Sequence, residues 1–208
     1  MIFFFHPTEV TPVLRGRVYE PVVMPVSETT EDEFGFAKIQ VLSFADLYAG
    51  KIMAALDRQH PRDLFDVHLL LEEEGISDEL RTALIVYLIS HDHSPQSLLA
   101  PPTKDIRSIF ETDFAGMTER PVPIETLLDA RDRLVSMVLS GMPEEHKSFL
   151  ISFYEGNPAW ETLGIEGLES LPAVRWRVFN LDKAGPGTRE AIIKALKKIF
   201  CNCLAHAA

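Results

Sequence analysis

The chain has 208 residues, 46% of them hydrophobic, and a formal net charge of −11. The apolar share is enough for a substantial core, and no run approaches the ~18 apolar residues of a spanning helix. IFFF at residues 2–5 is too short for the apolar region of a secretory signal. The acidic balance opposes phosphate backbones at long range, although it can hide a local basic patch.

In chain order, the segment up to about Gln40 is held out of helix by Pro7, Pro12, Pro21 and Pro25. Val18–Tyr19 and residues 37–42 read as short strands. The second is apolar enough for a central or core strand, and equally offers an edge at which another chain could pair. Residues 28–34 fit a short helix or an acidic loop. Helices are predicted over 43–57, 61–74 and 77–91, with Ser43 and Ser77 as N-caps, Pro61 at a first helical position and Gly75 as a left-handed stop.

Pro101–Pro102 breaks the chain, and 103–113 resumes a helix under a Thr103 cap. After a linker from Met117 to Pro123, residues 124–139 form an amphipathic helix that Gly141 ends. Further helices are predicted over 143–154, 172–181 and 188–204, around a looser stretch at 160–171. The reading is an α+β, mostly helical chain in three parts: 1–42 with the strands, 43–115, and a helical 116–208. Near its end, Arg175 and Arg177 flank Trp176, and Lys183, Arg189, Lys194, Lys197 and Lys198 follow. This is either a solvated helix face or an RNA contact. Cys201 and Cys203 are too close for a disulfide framework and lack further zinc ligands, so no disulfide partner is expected and a cytoplasmic setting fits.

The richest segment is Leu42 to Leu71, LSFADLYAGKIMAALDRQHPRDLFDVHLLL. Lys51, Ala54, Ala55 and Arg58 share one helical face, basic at both ends with small residues between. Asp63 and Asp66 lie three apart on the next helix, about 5–6 Å between Cβ atoms. The spacing would let Lys51, Arg58, Arg62, Asp63 and Asp66 converge on one point. The plainer reading has Lys51 and Arg58 solvated, Arg62 paired with Asp66, and Asp63 simply favoured by the helix dipole. Asp66 lies beyond that first turn among Leu64, Phe65, Val67, Leu69 and Leu70, so its carboxylate needs a partner.

DLYAGKIMAALDRQHPRDLFDV resembles the core motifs of the AbiEii/AbiGii toxin family of nucleotidyltransferases, from type IV abortive-infection toxin–antitoxin systems. Both its KxxA and RDxxD helices are intact, as Lys51–Ala54 and Arg62–Asp66. The resemblance implies a polymerase-β-like nucleotidyltransferase fold, with residues 1–42 the remnant of its sheet. It implies catalytic Lys51, Asp66 and Asp63, with Lys51, Arg58 and Arg62 binding nucleotide. The substrates it implies are an NTP and an RNA acceptor, a tRNA 3′ end above all; an antitoxin is a possible partner.

Such enzymes carry a Gly-Ser turn and an Asp-x-Asp pair for two Mg²⁺ ions, the metals that clamp attacking and leaving oxygens. Neither motif occurs in this sequence. Residues 9–22 resemble the strand and turn after that motif, which would make Glu9 a third metal carboxylate. The expectation is a C-terminal two-thirds of such a protein, lacking the main Mg²⁺ ligands. It is then either an enzyme completed elsewhere or a catalytically inert binding module. His91–Asp92–His93 reads as a polar loop, His60 as a helix cap, and the glycines at 164 and 167 lack a phosphate-loop context.

Overall fold

The computed structural model describes residues 16–206, with side chains up to Asn202. Two short strands, β1 (Val22–Pro25) and β2 (Lys38–Val41), bracket helix α1 (Glu28–Phe34). They pair antiparallel, with Val22 opposite Val41 and Met24 opposite Ile39. Ser27 caps α1 by accepting the Thr30 N–H. Among the described residues these are the only two strands, and both are almost wholly exposed. The 37–42 segment is therefore an edge strand and not the central or core strand that its apolar residues suggested. A two-stranded ribbon buries neither face without a further layer. Val18 and Tyr19 are not a strand either; their N–H groups go to a side chain instead.

The body is helical: α2 (Phe44–Arg58), α3 (Pro61–Glu73), α4 (Asp78–Ile89), α5 (Pro95–Leu99), α6 (Arg107–Asp113), α7 (Ile124–Ser140) and α8 (Glu144–Glu155). Two 3₁₀ turns at 160–163 and 168–170 lead to α9 (Pro172–Ala184) and α10 (Pro186–His206). Helix α2 is central, packing on α3 and α4; α3 in turn packs on α7, and α10 on α8. Its buried stripe, Ala45, Ala49, Ile52, Met53 and Leu56, follows the helical repeat. Each large member contributes about 1.5–3 kcal/mol by leaving water. The small alanines let α3 and α4 approach closely. One apolar cluster runs from Val18 through these helices to Leu196 and Phe200.

Local chemistry sets most boundaries. Ser43 and Ser77 accept the N–H groups of Asp46 and Leu80, as N-caps should. Pro61 opens α3, and Gly75 after its end adopts φ +73. Helix α6 starts four residues later than Thr103 suggested, because residues 102–104 are engaged by Gln59. The Gln59 side chain donates to the Pro102 carbonyl and accepts the Lys104 N–H. Asp105 then accepts the Arg107 N–H at the helix start. No helix among the described residues is long and apolar enough to cross a membrane.

Candidate functional site along the α2–α3 seam

Helices α2 and α3 meet through a turn of two residues. Gln59 ends α2 in the left-handed region at φ 53, and His60 begins α3 by accepting the Arg62 N–H on its Nδ1. This turn folds α3 back along α2 and sets their polar side chains against each other. Lys51 Nζ lies 2.7 Å from Asp66 Oδ2, with the two side chains 32% and 38% exposed. Lys51 also sits over the Tyr48 ring, 5.7 Å from its centroid, a cation–π contact that narrows where the ammonium can point. Asp66 is thus paired, but at this exposure it is also solvated and not stranded in the core as its apolar neighbours suggested.

A second pair closes the seam nearer the turn. Arg58 Nε and Nη2 donate to the two oxygens of Asp63 at 3.1 and 2.8 Å, a bidentate fork. Asp63 is mostly covered, while Arg58 is exposed. Arg62 turns away from both aspartates and donates to the Asp113 carbonyl at the end of α6. His60 Nε2 approaches the Asp113 carboxylate at 3.6 Å. The five polar heads thus do not meet at one point. Lys51 and Arg58 stand seven residues apart on α2, about 10 Å along its axis, and each takes its own aspartate. Of the two small residues between them, Ala55 is fully buried and Ala54 is partly exposed.

These carboxylates do not form a metal centre. Asp63 and Asp66 are each neutralised by a cation, and the described residues contain no group of three or more ligating side chains. The donor set at the seam therefore does not fit the two Mg²⁺ ions of such enzymes. Glu9, the metal carboxylate implied by resemblance, lies outside the described residues. His93 of the His-Asp-His loop pairs with Asp57 through Nδ1 at 2.6 Å, and the Asp92 and His93 carbonyls accept from Arg177. That loop is structural.

A model of the nucleotidyl transferase AbiEii toxin family, type IV TA system, matches residues 5–179. The chain belongs to this family. The AbiEii match runs from before the strands through α2 and α3 and ends within α9, so the Lys51–Asp66 and Arg58–Asp63 pairs sit well inside it. It makes the chain a toxin-type nucleotidyltransferase by family. No curated protein and no solved structure matches the chain.

One residue beside this candidate site reads from sequence only as a capping acid. Asp46, fully buried in the first turn of α2, accepts the N–H groups of Val18 and Tyr19 at 2.8 and 2.9 Å, with the Ser43 and Tyr87 hydroxyls beside them. It fastens Val18 and Tyr19 to the helix that carries Lys51. The sequence signal was its position after Ser43; its partners 27 and 28 residues upstream gave none.

Proposed function

We propose that this chain, or a complete enzyme of which it is a fragment, transfers a nucleoside monophosphate from an NTP to an RNA acceptor, with the tRNA 3′ end implied by its resemblance as the first acceptor to test. The transfer joins the acceptor hydroxyl oxygen to the α-phosphorus, breaks the α–β phosphoanhydride bond and releases pyrophosphate. The setting proposed is a cytoplasmic toxin–antitoxin system acting in phage defence, on a polymerase-β-like fold, with an antitoxin as partner.

The Lys51–Asp66 pair carries this reading. A half-exposed ammonium held by one carboxylate is fixed in position yet open to a polyphosphate, whose greater charge competes for it. Lys51 would neutralise triphosphate charge, and Asp66 would hold the ammonium in line for it. Arg58 is exposed on the same helix face and is the second phosphate contact; Asp63 fixes its fork. Arg62 supports the site by tying α3 to α6. Catalysis of phosphoryl transfer is mostly positioning and electrostatic stabilisation, which suits such groups. Mg²⁺, expected for the complete enzyme, would take its main ligands from outside this seam, with Glu9 the proposed contributor from this chain.

A second reading, an inert binding module, is favoured by the closure of Asp63 and Asp66 by their own cations. Calorimetry with each NTP in the presence of Mg²⁺ separates the two. Heat of binding that is lost in Lys51→Ala supports the transferase. Absence of binding by the wild-type chain at millimolar NTP supports the module.

A further inference from the structure

The last two helices carry a charge opposite to the rest of the molecule. Residues 172–208 hold seven Lys and Arg against two Asp and Glu, which leaves thirteen against twenty-nine in residues 1–171. The chain's −11 is therefore +5 at one end and −16 elsewhere. On α9 this positive charge is interleaved with aromatic surface. Trp176 and Phe179 are 60% and 47% exposed, and their rings stack with centroids 5.7 Å apart and planes 28° from parallel. Lys183 Nζ lies 4.2 Å from the Phe179 centroid. Trp176, Phe179 and Lys183, spaced i, i+3 and i+7, form one ridge of ring, ring and cation.

Phe179 also forms a wall of a groove of about 570 Å³ between α8 and α9, shared with Trp160, Arg175 and Arg189. Arg175 is exposed there. Arg189 is committed to structure, donating to the Phe153 and Tyr154 carbonyls and to Asp182 at 2.7 Å. Asp182 is thereby neutralised, which leaves Glu169 as the other acid of the groove. Arg177, held by the Asp92 and His93 carbonyls, is not part of the exposed ridge.

We infer that this ridge binds unpaired nucleotides of a single RNA strand, with a base stacking on the outer face of Trp176, which Phe179 backs, and phosphates meeting Arg175 and Lys183. Exposed large rings cost solvation and gain nothing by folding, whereas a base on the outer face of Trp176 removes that surface from water. Stacking on an aromatic ring strengthens single-strand binding by roughly 5- to 150-fold per base and tolerates any base. The charge complementarity favours a polyanion over a neutral protein surface. The site deepens the RNA-acceptor reading above by naming where the acceptor strand would be gripped, away from Lys51.

The test is fluorescence anisotropy of a fluorescein-labelled, unstructured twelve-nucleotide RNA with the full chain. Trp176→Ala should weaken binding roughly tenfold, with unchanged thermal melting because the ring is exposed. Arg175→Ala should reduce the salt slope by about 1, and Trp176 emission should be quenched on binding in a Trp160→Phe background. Equal RNA affinity for the wild type and Trp176→Ala overturns the site, even where NTP-dependent labelling of RNA establishes the transferase. Loss of binding to a co-expressed antitoxin in Trp176→Ala, with RNA affinity unchanged, assigns the ridge to protein recognition and likewise overturns it. Conversely, RNA binding through Trp176 without any labelling sustains this site and removes the transferase.

Discussion

The carboxylate of Asp46 takes the backbone N–H of Val18 at 2.8 Å, joining the start of the Lys51 helix to a segment 28 residues upstream. With Tyr19 N–H and the Ser43 and Tyr87 hydroxyls also in reach, Asp46 saturates its oxygens without a cation. Asp46→Ala should cost about 2–4 kcal/mol, because it removes charged hydrogen bonds and leaves buried donors unmet. Asp46→Asn, which keeps one acceptor but turns an amide toward an N–H, should fall between. Urea titration of the three proteins checks the order. Equal midpoints would show that the segment is not anchored there.

Gln59 sits in the left-handed region, where a side chain costs about 1 kcal/mol, and recovers it by bonding Pro102 and Lys104. Gln59→Ala keeps the strain and loses both bonds; Gln59→Gly loses the bonds but relieves the strain. The alanine variant should therefore be the less stable by about 0.5–1 kcal/mol. A reversed order in chemical denaturation would contradict the local account of this turn.

For Arg58 and Asp63, a double-mutant cycle with alanine should give a coupling of about 0.5–1.5 kcal/mol, above a single-contact surface pair because the fork is bidentate and Asp63 is mostly covered. Arg58→Lys should keep less than half of it, since an ammonium cannot occupy both oxygens in that geometry. A coupling near zero would mean that solvent screening dominates the pair.

Acidification should destabilise the fold in two steps. His146 is held below its ordinary value of 6.5 by burial first and by the nearby Arg81 second, with Glu145 and Asp78 opposing. A depressed histidine favours the unfolded state once protonated, so its contribution is complete above about pH 6.5 and is lost as pH falls through its folded value. Glu72 is lowered mainly by its hydrogen bond from Arg133, which links α3 to α7 at 2.6 Å. Its contribution is complete above its ordinary value of 4.5 and disappears as pH falls further below it. Thermal melts from pH 8 to about pH 2 should show His146→Gln flattening the upper step and Glu72→Gln the lower one.

Helix positions were largely legible because caps and apolar spacing are local signals: Ser43, Pro61, Ser77 and Gly141 mark ends that the structure keeps. The five-residue α5 was missed, since Ser94–Pro95 is a weak start between a polar loop and a Pro-Pro break. For the 37–42 segment, apolar content fits both a core strand and an exposed edge, because it does not reveal the number of strands beside it. At the site, a partner for Asp66 could be anticipated from its apolar neighbours, but the pairing its own helix offered was Arg62, four residues away, and not Lys51 on the helix before. The turn of Arg62 toward Asp113, 51 residues away, depends on where α6 lands and has no local signature. The aromatic ridge was visible only as Trp176 between two arginines; the structure separates Arg177, which is structural, from the exposed Arg175.

The central claim, that Lys51 serves the nucleotide and not the fold, is tested most directly by incubating the complete enzyme and its Lys51→Ala variant with Mg²⁺, labelled NTPs and total tRNA. A partly exposed ion pair contributes only about 0–1 kcal/mol, so the variant should melt within a few degrees of the wild type. Transfer of label to RNA by the wild type, abolished in Lys51→Ala, is the result expected. Undiminished labelling by Lys51→Ala, or its unfolding under the same conditions, would contradict the assignment.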